Sequence, residues 1–240
     1  MLLDEKYGGD TNAPGFTRDC ERLAAGEPLA YTIGWQPFFG LKIHLDSKPL
    51  VPRPETEWWT ERLLTPLAKR EEGKTFLDLC AGSGAIGCAA LAALPYREVF
   101  FGEIDPAHES TIHKNVRENG LDESRARVLI GDLFGPFPPE MRFDIIAANP
   151  PYIPDDRPLD LSVAGHEPPL ALRAGPDGLA VIRRIATELP HRLSEGGVAW
   201  IECDETHADA ARALFAARGF TASVRLDQYG APRVILVEWP

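Results

Sequence analysis

Apolar positions along this chain fall into short unbroken runs set apart by polar punctuation, and between the runs they recur at helical spacing. Residues 75–80, 98–102, 127–131, 143–148 and 197–203 are such runs. Each is bounded by turn residues and reads as a strand buried on both faces. Residues 56–70, 85–94, 106–119, 177–193 and 206–218 read as helices, the third with Pro106 at its first turn. Residues 220–229 and 232–239 make a closing β-hairpin turned by Gly230. Alternating β and α predicts an α/β fold, a doubly wound, seven-stranded, mostly parallel sheet, with the hairpin contributing an antiparallel strand. Upstream, aromatic and apolar residues alternate with polar ones over residues 29–52, which predicts a β-hairpin with its turn near Asp46-Ser47-Lys48. Residues 14–25 form one short helix, and the polar, glycine-rich residues 1–13 read as a loose tail. The division expected is a short N-terminal segment with the hairpin over residues 1–54 and one larger domain over residues 55–240.

The strands end in polar or glycine-rich residues, where open α/β sheets build their sites. Residues 75–80 run into Ala81-Gly82-Ser83-Gly84 and then a helix. A glycine turn there lets a ligand approach the backbone in front of a helix N-terminus. The next strand ends at Glu103, twenty-five residues after Asp78, a spacing suited to a carboxylate that binds ribose hydroxyls. The third ends at Asp132, a candidate acceptor for an adenine amino group. The fourth runs into Asn149-Pro150-Pro151-Tyr152. Two prolines remove backbone donors and stiffen the exit from the sheet. Asn149 then offers one side-chain acceptor and two donors, equipment for a flat neutral group such as an amide or an exocyclic amine. An isolated Asn-Pro is more often an ordinary turn; the three strand ends before it favour a nucleoside cofactor beside a reacting group.

With these motifs in order, the chain resembles the class I S-adenosylmethionine-dependent methyltransferases of the HemK type, and within them the peptide-chain-release-factor glutamine N5-methyltransferases. The resemblance runs from about Leu29 onward and also rests on residues 34–39, on Val51-Pro52-Arg53-Pro54-Glu55-Thr56-Glu57 and on residues 166–172. The Pro-Arg-Pro-Glu-Thr-Glu segment separates it from ribosomal-protein glutamine methyltransferases and from DNA adenine methyltransferases, which share Asn-Pro-Pro-Tyr. The resemblance implies a Rossmann-like methyltransferase fold, S-adenosyl-L-methionine as cofactor, and a class 1 release factor as protein substrate, methylated at the glutamine of its Gly-Gly-Gln motif. It implies cofactor contacts from Asp78, Cys80, Ala81, Gly82, Ser83, Gly84, Glu103, Ile104, Asp132, Leu133 and Asn149. Substrate contacts would come from Arg53, Asn149, Pro150, Pro151, Tyr152 and Glu167, with Asn149, Pro150 and Tyr152 in the catalytic roles. Three departures stand out. Fewer than thirty residues precede the hairpin, where such enzymes usually carry a helical domain of several dozen. Cys80-Ala81 replaces the usual Gly-Thr, and Leu133 the usual larger side chain.

Several residues carry two readings. Tyr152 either walls the pocket against a flat amide or is a half-buried loop aromatic. Arg53, Glu55 and Glu57 line a substrate entrance, or else Glu55, Thr56 and Glu57 cap a helix. Glu167 either organises the loop after Tyr152 or is a surface acid. One of Trp58 and Trp59 packs on the sheet. A metal site at Cys203, Glu205 and His207 lacks a fourth ligand, so none is expected.

Charge narrows the partners. A formal net charge of −11 disfavours a footprint on nucleic-acid backbone, where clustered Lys and Arg would be expected. The alternatives to the release factor are N6-methylation of adenine in nucleic acid, which this charge disfavours, and methylation of another protein glutamine such as one in a ribosomal protein. The four cysteines show no metal-ligand spacing and suit a reduced cytoplasmic setting. No run approaches the ~20 apolar residues that cross a bilayer, and no membrane partner is expected. A monomer is the default.

Overall fold

A computed structural model describes residues 1–68, 75–94 and 98–239. Three short helices open the chain: α1 (Leu2–Tyr7), α2 (Phe16–Ala24) and α3 (Leu29–Ile33). The first replaces the expected loose tail. Its polar residues serve as fastenings, because the fully buried Asp19 carboxylate accepts hydrogen bonds from Lys6 Nζ at 2.5 Å, Tyr7 Oη at 2.7 Å and Arg22 Nη1 at 2.8 Å. A buried charge is tolerable only when paired in this way.

The hairpin forms, but its turn lies elsewhere than expected. Strands β1 (Trp35–Phe38) and β2 (Leu41–His44) pair antiparallel with Phe38 opposite Leu41. The turn is therefore Phe39-Gly40, not residues 46–48, and residues 29–33 are helical rather than extended. Both turn residues have positive φ, 54° and 73°, the conformation that matches strand twist in a two-residue connection. Phenylalanine is rare in that conformation, so Gly40 alone marked the turn in the sequence. Glu57 Oε1 holds the Phe39 amide at 2.7 Å.

From there helices and strands alternate: α4 (Pro54–Leu67), β3 (Thr75–Leu79), α5 (Ala85–Ala93), β4 (Glu98–Glu103), α6 (Glu109–Glu118), β5 (Ala126–Ile130) and β6 (Phe143–Ala148). The chain continues through α7 (Leu161–Ala164), α8 (Ala180–Arg192), β7 (Leu193–Glu202), α9 (Ala208–Ala216), β8 (Thr221–Leu226) and β9 (Pro232–Glu238). Helix α4 begins two residues before the expected start; Arg70, the expected end, lies outside the described residues. Helix α8 begins at Ala180 rather than at residue 177, and Leu193 already belongs to a strand. A 3-10 turn over Glu205–His207 takes up the first residues expected of α9.

The seven-stranded sheet runs β5-β4-β3-β6-β7-β9-β8. Its first five strands are parallel and β9 is antiparallel to both neighbours. One core joins α4 and α5 to one face and includes Phe38 and Ile43 of the hairpin. The other packs α8 and α9 on the opposite face. All four strand ends singled out from the sequence thus meet at one edge, that of the carboxyl termini of β5, β4, β3 and β6. Among the described residues no helix is long and apolar enough to cross a membrane.

Candidate active site

The turn after β3 is built by backbone conformation. Cys80, Gly82 and Gly84 all have positive φ, at 63°, 55° and 76°. Cys80 therefore occupies a left-handed position that glycine takes without strain. Its thiol is pushed well above its ordinary pKa by burial, with the charge of Glu103 adding to the effect, and its side chain packs against the second core. It is a packing group in chemical character rather than a thiolate nucleophile.

Beneath the turn lies Asp78. Its Oδ2 accepts from the Gly87 amide at 2.8 Å, one of the amides left without an intrahelical partner in the first turn of α5. Gly87 is required there, because a Cβ would stand 2.2 Å from the Phe101 ring. Asp78 is fully buried and supports the turn from below, rather than facing the cleft. Its other oxygen is buried without a hydrogen-bond partner.

Above the turn a cleft opens along the sheet edge. It is lined by Cys80, Gly82, Glu103, Ile104, Asp132, Leu133, Asn149, Pro151 and Arg184, among others. The Glu103 carboxylate is clamped by two backbone amides, Gly82 at 2.7 Å and Asp105 at 2.8 Å, one on each oxygen. A carboxylate has about four acceptor sites, so each oxygen keeps one for a second donor. Ile104 is 43% exposed, an apolar platform beside this carboxylate, and Leu133 supplies another apolar wall. Asp132 pairs with Arg184 at 2.7 Å, both side chains half exposed.

Ala81 and Ser83 line a second, smaller pocket with Phe38, Pro52, Thr56, Ile86 and Asn149. Gly84 caps α5. Asn149 lines both cavities, immediately beyond the last residue of β6. Its Nδ2 donates to Thr56 Oγ1 at 3.2 Å. Pro150 is buried. Tyr152 belongs with the second core, and its hydroxyl donates to Glu202 Oε1 at 2.9 Å. Arg53 pairs with Glu167 at 2.7 Å, and Glu167 also accepts from the Val51 amide at 3.3 Å. Glu167 thus ties the Pro-Arg-Pro-Glu segment to the loop following Tyr152, and it is buried rather than a surface acid.

Sequence reasoning missed Glu202. This carboxylate ends β7, is fully buried, and accepts from Thr56 Oγ1 and Trp59 Nε1, both at 2.7 Å, besides Tyr152. Burial pushes its pKa up, and the three hydrogen bonds oppose that. Thr56 is thus no helix cap: it joins Glu202 to Asn149. Trp59 is the member of its pair that packs inward, stacked on Trp200 with ring centroids 6.3 Å apart. The available signal was an acid at the end of a fifth apolar run, overshadowed by the Cys203, Glu205 and His207 alternation beside it.

Residues 40–167 match the family model described as conserved hypothetical protein 95. A release factor glutamine methyltransferase of Deinococcus radiodurans is 35% identical over 233 residues, covering 96% of this chain and 81% of the relative. One of Chlamydia trachomatis is 34% identical, covering 88% of this chain and 72% of the relative. The chain belongs to the release factor glutamine methyltransferases. Its fold is that of a methyltransferase: the crystal structure of a methyltransferase from Pyrococcus furiosus superimposes with a TM-score of 0.60 at 18% identity, covering 93% of this chain and 98% of that one.

Proposed function

We propose that this methyltransferase acts on the side-chain amide nitrogen of the glutamine in the Gly-Gly-Gln motif of class 1 release factors, using S-adenosyl-L-methionine. The observation that carries the reading is the position of Asn149 on the wall shared by the cleft and the smaller pocket. One side chain there can touch both a cofactor and an incoming amide.

The donor set fits the cofactor. Glu103 keeps two acceptor sites side by side, suited to the vicinal hydroxyls of a ribose. Ile104 and Leu133 offer apolar faces to a flat base. The open glycine turn in front of α5 lets a ligand approach the backbone. Bound S-adenosylmethionine supplies an electrophilic methyl group on a sulfonium. Asp78 and Gly84 act from below, by shaping the turn, while Cys80, Ala81, Gly82 and Ser83 line its cavities.

A glutamine amide nitrogen is a poor nucleophile because its lone pair is delocalised into the carbonyl, and no side chain in the site is a base strong enough to ionise it. Catalysis is therefore assigned to positioning. Asn149 Oδ1 and the Pro150 carbonyl accept the two amide N–H bonds and aim the nitrogen. As positive charge grows on that nitrogen both acceptors bind it more strongly, which favours the transition state over the ground state. The proton then leaves to water. Pro151 and Tyr152 stiffen the frame, and Arg53 with Glu167 shapes the substrate side. The partner is a protein, met by a monomer without nucleic-acid contacts.

A methyl-transfer assay tests this. Purified protein and labelled S-adenosylmethionine are mixed with a Gly-Gly-Gln release factor, a Gly-Gly-Ala control, or a DNA and RNA pool. Label on the Gly-Gly-Gln protein alone is expected. Label on nucleic acid, or equal label on the control, overturns the assignment.

A further inference from the structure

We infer that Glu202 and Thr56 are positioning residues that fix which way round the Asn149 amide stands, and so decide that an oxygen rather than an NH2 group faces the substrate. The inference rests on the glutamine-transfer reading and adds to it two residues, distant in sequence, that act through Asn149.

The argument is one of donors and acceptors. A carboxylate only accepts hydrogen bonds. Glu202 is fully buried and lies 2.7 Å from Thr56 Oγ1, so the single hydroxyl proton of Thr56 is committed to it. The Thr56 oxygen is then left with acceptor sites alone. The group that Asn149 turns towards it must be a donor, and Nδ2 stands there at 3.2 Å. The reversed amide would set two lone-pair-bearing oxygens against each other at a part-buried contact, which is costly. With Nδ2 held by Thr56, Oδ1 is the atom left to receive an amide N–H. An amide flip would present NH2 to the NH2 of a glutamine, donor against donor.

The carboxylate is itself over-determined. Trp59 Nε1 from α4 and Tyr152 Oη from the Asn-Pro-Pro-Tyr segment donate to it at 2.7 and 2.9 Å. Thr56 and Trp59 lie three residues apart in α4 and so share one helix face. Thr56 Oγ1, 4% exposed as a residue, has no other role in capping, since α4 is capped without a side-chain bond. The polarity set at the end of β7 thus passes through one hydroxyl to the end of β6.

Variants at Thr56 and Glu202 test the inference by kinetics and by NMR. Thr56→Val keeps shape and removes the hydroxyl, Thr56→Ser keeps the hydroxyl, and Glu202→Gln places a donor where only acceptors stood. For Thr56→Val and Glu202→Gln, kcat on a Gly-Gly-Gln release factor should fall by about tenfold to a hundredfold, with cofactor Kd within about threefold of the parent. Thr56→Ser should recover most of the loss, which a packing role for the methyl group alone would not allow. The second readout needs no turnover: the Asn149 side-chain amide protons, assigned by their absence in Asn149→Asp, should be protected from exchange and close to Thr56 in NMR spectra of the parent. That protection should vanish in Thr56→Val. Full kcat in folded Thr56→Val, or an Asn149 NH2 that exchanges freely in the parent, overturns the inference. A parent protein that transfers no methyl group while showing the protected amide would sink the glutamine reading and leave the orientation standing.

Discussion

Arg53 Nη2 lies 2.7 Å from Glu167 Oε1, joining the segment that leads into α4 to the loop that leaves the Asn-Pro-Pro-Tyr motif. Glu167 is buried and also holds the Val51 amide. Glu167→Ala leaves a buried backbone donor and a partly buried guanidinium without their acceptor. Unfolding free energy in urea should fall by about 2 kcal/mol, and KM for the release factor should rise more than KM for the cofactor. A change confined to the cofactor would contradict this placement.

Asn149→Ala removes the acceptor on the wall between the two cavities while leaving Glu103 and the glycine turn intact. Turnover should fall by at least about a hundredfold, with cofactor affinity, measured by calorimetry, changed by less than about threefold. Equal loss of both would show that Asn149 serves cofactor binding alone.

Cys80 offers a test of backbone strain. Its left-handed φ of 63° is free of penalty for glycine, costs about 1 kcal/mol for an ordinary side chain, and is worst for a β-branched one. Cys80→Gly exchanges relief of strain for lost packing and should stay within about 1 kcal/mol of the parent in urea unfolding. Cys80→Val should lose more than about 2 kcal/mol. The reverse order would mean that packing of the thiol outweighs backbone conformation.

Asp78 predicts a pH dependence. Burial pushes its carboxyl up to about 8, with the Gly87 amide opposing and the charge of Glu103 assisting. In an unfolded chain the same group releases its proton near pH ~4. Between those values the folded state binds more protons than the unfolded one, so stability from this group falls as pH rises through the window. Asp78→Asn keeps an acceptor for Gly87 and cannot ionise. Its unfolding free energy should decline less between pH 5 and pH 8 than that of the parent, by more than about 1 kcal/mol. Parallel pH profiles would place Asp78 as an ordinary acid.

How much was legible in the sequence follows from how local each signal is. Residues 143–148 form β6 with the bounds expected, because an apolar run between turn residues carries its own boundaries. The strand-end residues Glu103 and Asn149 come to one edge because parallel topology sends every such end the same way. What escaped was non-local or unusual in type. Thr56 and Glu202 stand 146 positions apart, and nothing in either segment announces the other. The Phe39-Gly40 turn uses a residue type that rarely adopts its conformation. Helix α1 looks too polar to be ordered until Asp19, twelve and thirteen positions away from Tyr7 and Lys6, is placed beneath it.

The sheet order β7-β9-β8 sets a schedule for a chain emerging from the ribosome. Strand β8 is synthesised before β9, yet among the described residues its only neighbour in the sheet is β9, and β9 must also insert against β7. Until β9 arrives β8 has no strand to pair with, and the edge of β7 stays open to other chains. The carboxylate at the end of that edge is Glu202. Nascent chains stalled before residue 232 should therefore be a sticky, catalytically unfinished species, and the insertion of β9 between β7 and β8 is the step that closes that edge.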